Sequence, residues 1–166
     1  MMTNQQIAED IIAKFGENSH SFEEPWGLLT LTTNRQNIIS LLEYLKQHEI
    51  FRFNFLTDLT GIHLPDNKGA EFGVIYHLHS LENNVRIRVK VFLSQDDIHI
   101  PTAITIWPTA NWMERETFDF FGILFDGHPN LIRILNIEEM DYFPMRNEYA
   151  LEDATREDKI DALFGR

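Results

Sequence analysis

The sequence contains no cysteine among its 166 residues. A chain without a thiol forms no disulfide, holds no cysteine-ligated zinc or iron–sulfur cluster and has no cysteine nucleophile. Long apolar runs are missing too. The most apolar window, Phe118 to Phe125, is interrupted by Asp119 and Gly122 and is far shorter than the roughly 20 residues that cross a bilayer. We therefore expect a chain that is soluble by itself, with any redox centre held by another molecule.

Basic residues are scarce, with 14 Lys and Arg against 26 Asp and Glu and a formal net charge of −12. A charge of this sign opposes binding to nucleic acid and to anionic lipid. Within the predicted strand at residues 85–91, a basic stripe at Arg86, Arg88 and Lys90 has no aromatic residue on its face. This stripe indicates a solvated sheet face or a salt-bridged protein contact rather than a nucleic-acid site.

Nucleotide-binding and secretion signals are also absent. The 8 glycines are scattered, so the sequence has no phosphate loop, no dinucleotide fingerprint and no nucleophile elbow. The amino-terminal stretch lacks the basic start and the small-residue cleavage site of a signal peptide. We expect a cytosolic or bacterial setting.

A hydrophobic content of 43% with 12% aromatic residues is ample for one core. Thr3 and Gln6 fit a capping box that opens a first helix, which Gly16 ends. Two short strands, around residues 19–23 and 28–32, flank a turn at residues 24–27. Asn34 is then expected to cap a second, amphipathic helix.

Alternating residues predict three further strands. Phe51, Phe53 and Phe55 alternate with polar residues, which is typical of a half-buried strand, and Leu59 to Gly69 is predicted to be a loop. Residues 72–78 and 85–91 then form a hairpin around Glu82-Asn83-Asn84.

The pattern of apolar and polar residues changes in the last third of the sequence. Asn111 and Glu114 fit a second capping box, which predicts a helix that runs to Phe121 and stops at Gly122. A short helix is expected at Thr155 to Phe164. The other residues after 122 show little periodicity.

The order of elements predicts an α+β fold with two layers, because strands and helices do not alternate regularly. We expect a mixed sheet with helices on one face, in the order helix, two strands, helix, three strands, followed by another helix and an extended tail. Residues 1–135 are predicted to form one domain, and residues 136–166 a C-terminal tail that docks on partner subunits.

Two histidines suggest a metal site. His77 and His79 share one face of a predicted strand and, with His99 or Asp97, would supply ligands for a metal ion. Alternating histidines on an outward face are more often solvated or hydrogen-bonded, and we prefer that interpretation.

Charges and aromatic residues are interleaved on the third predicted helix. Glu114, Glu116 and Asp119 are carboxylates of the kind that acid–base catalysis uses, and Arg115 lies four residues before Asp119, where the two can pair. Burying unpaired charge among so many aromatic residues is costly. The segment therefore indicates a specific interface or a cross-braced core, with catalysis a weaker hypothesis.

The run from Glu114 to Leu135 resembles the signature of the C subunit family of the proton-pumping NADH:quinone oxidoreductase, respiratory complex I. The resemblance extends over Phe55 to Thr60, the strand VIYHLHSL and Trp107 to Trp112, and covers about Phe51 to Tyr149. The sequence departs from the family at Ile132 and Asn147, where many relatives have basic residues.

The resemblance implies a peripheral-arm subunit that scaffolds electron transfer from NADH to quinone, coupled to proton translocation. It implies no catalytic residue, no metal and no cofactor in this chain, with FMN and iron–sulfur clusters in partner subunits. The implied partners are the quinone-site D subunit and the cluster-bearing B and I subunits, on the cytoplasmic side of the bacterial inner membrane. The residues that carry the signature, as a subunit interface or as structural positions, are Glu114, Arg115, Glu116, Phe118, Asp119, Phe121, Gly122, Gly127, His128, Pro129, Arg133 and Arg146.

Three alternatives remain open at this point. The chain would also fit a homologous subunit of a membrane-bound hydrogenase or of a ferredoxin- or F420-linked oxidoreductase. From other classes, it would fit a free-standing binding module, or a metal-dependent hydrolase that uses His77 and His79.

Overall fold

The computed structural model describes residues 3–17 and 19–149. The predicted helix at Thr155 to Phe164 lies outside this range. Within the described residues, three α-helices, seven β-strands and a short 3-10 turn at Pro25–Gly27 follow one another. Their order is α1 (Asn4–Phe15), β1 (Ser21–Glu23), β2 (Leu29–Thr33), α2 (Ile38–Gln47), β3 (Phe55–His63), β4 (Phe72–Ser80), β5 (Val85–Leu93), β6 (His99–Pro101), α3 (Ala110–Phe121) and β7 (Leu124–Asp126).

The main sheet has five strands in the order β1-β2-β5-β4-β3. Only β2 and β5 are parallel, and the other neighbours are antiparallel, so the sheet is mixed. Buried residues of all three helices, such as Ile11, Leu41 and Phe121, join one apolar core with the inward residues of the strands. The predicted α+β fold with helices on one face of a mixed sheet is confirmed.

The β4–β5 hairpin follows its predicted alternation. Inward residues such as Tyr76 and Val89 are fully buried, whereas their neighbours His77 and Arg88 are partly exposed on the other face. The period of two along each strand sends successive side chains to opposite faces. The hairpin therefore divides the sheet into a buried inner face and an outer face.

The predicted amino-terminal signals are confirmed in part. The Thr3–Gln6 capping box is present and Gly16 is the C-cap of α1. The second helix starts later than predicted. The side chain of Asn34 accepts a hydrogen bond from the Asn37 N–H at 2.9 Å, but α2 begins at Ile38, so Asn34 opens the preceding turn.

The predicted loop from Leu59 to Gly69 starts later in the structure, at Leu64, because Leu59 to His63 belong to β3. A β-bulge shifts the register between Leu56 and Asp58. Since the bulge adds a residue on one strand, Leu56 and Leu59 both face the core although three positions separate them. The alternation that identifies strands is therefore broken at this point.

The predicted strand at Phe51 to Phe55 was wrong, because β3 starts only at Phe55. Arg52 has φ 46, which is incompatible with extended backbone. The Asn83 side chain donates to the carbonyls of Ile50 and Phe51 at 2.8 and 3.2 Å. These carbonyls are thus satisfied by a side chain instead of a strand partner.

Two short parallel strands were missed by sequence reasoning. β6 pairs with β7, with His99 opposite Leu124 and Pro101 opposite Asp126, and α3 connects the two strands. Parallel strands need such a crossover. The unit fixes both ends of α3 against the domain.

No helix in the described part of the chain is both long and apolar enough to span a bilayer.

Candidate functional site

The Asp119 carboxylate is the centre of the signature segment. This side chain is fully buried on α3 and accepts five hydrogen bonds. Three go to Oδ2, from the backbone N–H groups of Ile134, Leu135 and Asn136 at 2.8 to 3.1 Å. Two go to Oδ1, from Arg133 at 2.7 Å and from the Asn136 side chain at 3.1 Å. One carboxylate therefore orders an irregular segment that has no strand or helix of its own.

Arg133 adds further hydrogen bonds to this arrangement. Its guanidinium donates to the Asp119 backbone carbonyl at 2.8 Å as well as to the carboxylate. It also donates to the carbonyls of Met140 and Tyr142 at 2.7 and 2.8 Å, and it lies over the Phe143 ring at 5.0 Å. The planar guanidinium thus links α3 to two later points of the chain.

The electrostatics of this pair follow from its hydrogen bonds. Burial alone would raise the pKa of Asp119, but donors from the Asn136 backbone, Arg133, the Leu135 backbone and the Asn136 side chain outweigh it and hold the pKa well below its ordinary value. The carboxylate is therefore ionised and paired at neutral pH.

The predicted Arg115–Asp119 pair is wrong. Arg115 instead donates to the backbone carbonyls of Ile132 and Arg133 at 3.1 and 2.9 Å. Asp119 pairs with Arg133, so both side chains of α3 bind the same following segment. We define the Asp119 brace as Asp119, Arg115, Arg133 and Asn136 with the backbone that they bind.

Glu114 does not form the predicted capping box with Asn111. Thr109 is the N-cap of α3 and makes no side-chain capping bond. The fully buried Glu114 carboxylate instead accepts from the Thr102 hydroxyl at 2.5 Å and from the Ala103 N–H at 2.6 Å. It thereby joins α3 to the loop after β6.

Both partners of Glu114 are neutral, and this affects its proton affinity. Burial raises the pKa of Glu114 to about 7, although the Thr102 and Ala103 bonds oppose the rise. Burial and the Glu114 charge also raise the pKa of Tyr76 well above its ordinary value. The Tyr76 hydroxyl has no hydrogen-bond partner among the described residues.

A second contact between the tail and the domain lies at Gly122, the left-handed C-cap of α3. Arg146 donates to the Phe121 carbonyl at 2.8 Å and lies between the rings of Phe72 and Phe143, at 4.9 and 4.7 Å. A Cβ on Gly122 would lie 2.6 Å from both Arg146 and Phe143. Glycine is needed here for its positive φ and for space.

Residues 146 to 149 continue along the edge of the sheet. Asn147 donates through its backbone N–H to His63 Nδ1 at 3.0 Å and through its side chain to the His63 carbonyl at 2.8 Å. The described part of the tail therefore contacts the domain. The boundary at residue 135 stays a prediction.

The Gly127–His128–Pro129 turn is tied to the start of α3. Gly127 has φ 84. His128 Nε2 lies 3.2 Å from the Asn111 carbonyl, while its Nδ1 accepts from the Asn130 N–H at 3.0 Å. Among the other signature residues, Phe118 packs edge-on against Phe143 at 6.0 Å, and Glu116 is exposed.

Several residues of the site escaped sequence reasoning. Thr102, Asn136, Asn147 and His63 supply bonds that hold the segment, but each is a single polar residue outside any periodic pattern. A partner far along the chain leaves no local signal.

The predicted metal ligands are not brought together. No group of three His, Asp or Glu within residues 3–17 and 19–149 is placed to hold a metal ion. His77 lies opposite Asp58 and Arg88 on the sheet, while His99 lies 3.0 Å from Asp126 on the small sheet. The hydrolase alternative therefore lacks its ligand set in this part of the chain.

Comparison with known proteins gives consistent results. The family model for the respiratory-chain NADH dehydrogenase, 30 Kd subunit, matches residues 31–155. The C subunit of NADH-quinone oxidoreductase from Citrifermentans bemidjiense is 38% identical over 159 residues, which cover 95% of this chain and 96% of that protein. The corresponding C subunit from Nocardioides sp. is 41% identical over 125 residues, or 75% of this chain and 50% of that protein. The chain thus spans about half the length of this second relative.

The fold also matches a solved structure. The trypsin-resistant fragment (1-134) of Nqo5 superposes with a TM-score of 0.66 at 31% identity, over 78% of this chain and all of that chain. Sequence and fold therefore agree, and the chain belongs to the family of the 30 Kd subunit of respiratory-chain NADH dehydrogenase, as the C subunit of NADH-quinone oxidoreductase does.

Proposed function

We propose that this chain is a scaffold subunit of the peripheral arm of an NADH-quinone oxidoreductase. In this role it binds no cofactor, while FMN and iron–sulfur clusters in other subunits carry electrons from NADH to quinone and the complex translocates protons. The proposed partners are the quinone-site D subunit and the cluster-bearing B and I subunits. The proposed location is the cytoplasmic side of a bacterial inner membrane, reached only through the complex.

The Asp119 brace is the observation that carries the proposal. A buried ion pair and backbone bonds to Asp119 and Arg133 hold residues 132 to 142 in one shape without regular secondary structure. A surface that is already ordered loses little conformational entropy when a partner binds. The brace therefore suits a surface for assembly.

Exposed apolar side chains lie on these same braced segments. Apolar residues and tyrosine are common at the centres of protein interfaces. The large exposed side chains of α3 and of the segment after it are Trp112, Ile132, Leu135, Ile137, Tyr142, Met145 and Tyr149.

Two assigned interface residues are already engaged within the chain. Arg133 and Arg146 have side chains that are only 10% and 16% exposed. We propose that they act on the interface indirectly, by positioning the exposed side chains around them, while their guanidinium groups stay bound to this chain.

Assembly in the producing organism tests the proposal. We expect Arg133→Ala and Arg146→Ala to lower the amount of assembled complex and the NADH:quinone activity of membranes in parallel, with turnover per assembled complex unchanged. Lys68→Ala is the control, because Lys68 is exposed on the β3–β4 loop away from the brace. Native gels and quantified subunits measure assembly.

Two results would contradict the proposal. Normal assembly with lost turnover would indicate that the chain has a chemical role. Purification of the tagged chain without NADH-quinone oxidoreductase subunits would show that it is not a subunit of this complex. Subunits of a hydrogenase or of a ferredoxin- or F420-linked enzyme in that preparation would favour the related complexes. Stoichiometric flavin or iron–sulfur absorption in the purified chain would contradict the cofactor-free role.

A further inference from the structure

No described helix covers the outer face of the five-stranded sheet. The core residues of α1, α2 and α3 all pack on the inner face. Register places Phe55, His79 and Arg86 in one row across β3, β4 and β5, and Asp58, His77 and Arg88 in the next. Ile75 and Lys90 follow in a third row.

This face is cationic although the chain carries a net charge of −12. Lys90 has a partner, since its ammonium lies 2.6 Å from a Glu23 carboxylate oxygen. Arg86 and Arg88 form no ion pair with any residue of the described ranges 3–17 and 19–149. By register, the row of Arg88 contains two carboxylates, Asp58 on β3 and Glu23 on β1, each two strands away from it.

Two nitrogen atoms on this face are shielded from solvent and have no hydrogen-bond partner in the described part of the protein. They are Arg88 Nε and His79 Nε2. A shielded polar atom without a partner costs free energy, and native structures rarely leave one unexplained. The Arg88 side chain is therefore left without a compensating partner among the described residues.

The face also has apolar residues and a depression. Phe55 is 43% exposed at its edge, and Ile75 is partly exposed beside His77. A cavity of about 400 Å³ crosses the strands near Arg86, with Leu28, His77 and Asp58 in its lining. Such a surface offers both charge and apolar contact area.

We infer that the outer sheet face binds an acidic segment of another subunit, whose carboxylates pair with Arg86 and Arg88. The two arginines point the same way two residues apart on β5, so their Cα atoms are about 7 Å apart. The segment carries carboxylates at a similar spacing and apolar side chains that contact Phe55 and Ile75. The inference rests on the proposed scaffold role, because the occupant is a neighbouring subunit.

Charge decides between an acidic protein segment and nucleic acid. The basic stripe is short and is flanked by Asp58 and Glu23, so the positive surface does not extend across the sheet. Protein–protein electrostatics require only local complementarity, whereas nucleic-acid binding gains from an extended basic surface. The face also lies apart from the Asp119 brace, so the chain would contact different partners through two surfaces.

Photocrosslinking within the complex tests the inference. Phe55→p-benzoylphenylalanine keeps an aromatic ring at the edge of the face and adds a photoreactive benzoyl group, at a position that is 43% exposed. Leu64→p-benzoylphenylalanine is the matched control, because Leu64 is 42% exposed on the β3–β4 loop at the other end of the sheet. The expected product at position 55 is a crosslink to a peptide containing several Asp or Glu residues, identified by mass spectrometry.

Charge reversal supplies the second arm. We expect Arg86→Glu with Arg88→Glu to lower the yield of this crosslink about tenfold, and moderate salt to lower it in the unchanged protein. Lys14→Glu with Lys68→Glu changes the net charge equally at two other exposed positions and should leave the yield unchanged. Urea unfolding of each full-length variant shows whether it folds. If the double variant does not fold, the dependence of the crosslink yield on salt in the unchanged protein still tests the inference.

The outcomes separate the two proposals. Four results would overturn the inference while the tagged chain still purifies with its complex. They are no crosslink at position 55, a crosslinked peptide without carboxylates, a crosslink yield that does not change with charge or salt, and a nuclease-sensitive adduct. Failure of the unchanged tagged chain to purify with NADH-quinone oxidoreductase subunits would instead overturn the proposed function.

Discussion

Asp119→Asn is the most informative single change, because it removes the charge of the brace while keeping the shape of the side chain. The carboxylate accepts five hydrogen bonds through two oxygens. A carboxamide has one acceptor oxygen, so its NH₂ group must face either the guanidinium of Arg133 or the backbone N–H groups of residues 134 to 136. Donors then face donors, and Arg133 loses its counter-ion in a site where only 10% of its side chain is exposed.

The expected cost follows from this geometry. Breaking a buried pair by removing one partner costs about 3–5 kcal/mol, against a total unfolding free energy of roughly 5–15 kcal/mol for typical domains. Asp119→Asn should therefore lower the unfolding free energy by about 3 kcal/mol or more, and the melting temperature by roughly 10 °C. Urea unfolding of the full-length chain, followed by tryptophan fluorescence, measures the first quantity.

A double-mutant cycle isolates the pair. In the Arg133→Met background the guanidinium is absent, so Asp119→Asn should cost at least 1 kcal/mol less, within the roughly 0.5–3 kcal/mol found for interacting neighbours. Glu116→Gln is the control, since Glu116 is an exposed acid on the same helix and should change stability by less than about 0.5 kcal/mol. A cost for Asp119→Asn below about 1 kcal/mol, or full additivity with Arg133→Met, would refute the assignment of the brace.

Three further changes probe other parts of the site by the same unfolding measurement. The pKa of Glu114 is about 7 in the folded chain against 4.5 ordinarily, so the folded state holds the extra proton and stability falls as pH rises between these values. Glu114→Gln should remove this fall, which amounts to about 3 kcal/mol, and an unchanged pH profile would contradict the assignment. Gly122→Ala should cost about 2 kcal/mol or more, because φ is +75° and the new Cβ would lie 2.6 Å from the Phe143 ring. Gly61→Ala should cost about 1–3 kcal/mol, because its Cβ would lie 2.5 Å from the Phe121 ring.

Gly27→Ala separates backbone strain from crowding at Gly122. Gly27 has φ +77° and no atom within 4 Å of its potential Cβ. Its substitution therefore reports the cost of the left-handed backbone alone. Equal costs at Gly27 and Gly122 would show that contact with the tail adds nothing.

Sequence reasoning succeeded where the determinants are local. The Thr3–Gln6 capping box involves residues three positions apart, and the β4–β5 hairpin follows from alternation around a short turn. It failed at β3, where the bulge after Leu56 breaks the alternation. The α+β prediction was still correct, because this error changed neither the predicted number of strands in the main sheet nor their order along the chain.

The candidate site shows the same division. The resemblance identified the family, and it named Asp119 and Arg133 as signature residues. The pairing rule for residues four apart assigned Asp119 to Arg115, whereas the fold gives it Arg133, fourteen residues later. Helix spacing brings two side chains within reach but does not decide which of several donors is used once the chain folds back.

The sequence by itself therefore determined the Thr3–Gln6 capping box, the hairpin, the fold class and the family, because these depend on spacing between near neighbours or on a long matching run of residues. Tertiary structure alone decided the partners of each buried charge. It turned Glu114 from a predicted cap into a buried carboxylate with a raised pKa, and it left Arg86 and Arg88 on an uncovered sheet face. The physical reason is that the energy of a charge depends on which groups surround it, and those groups come from distant parts of the chain.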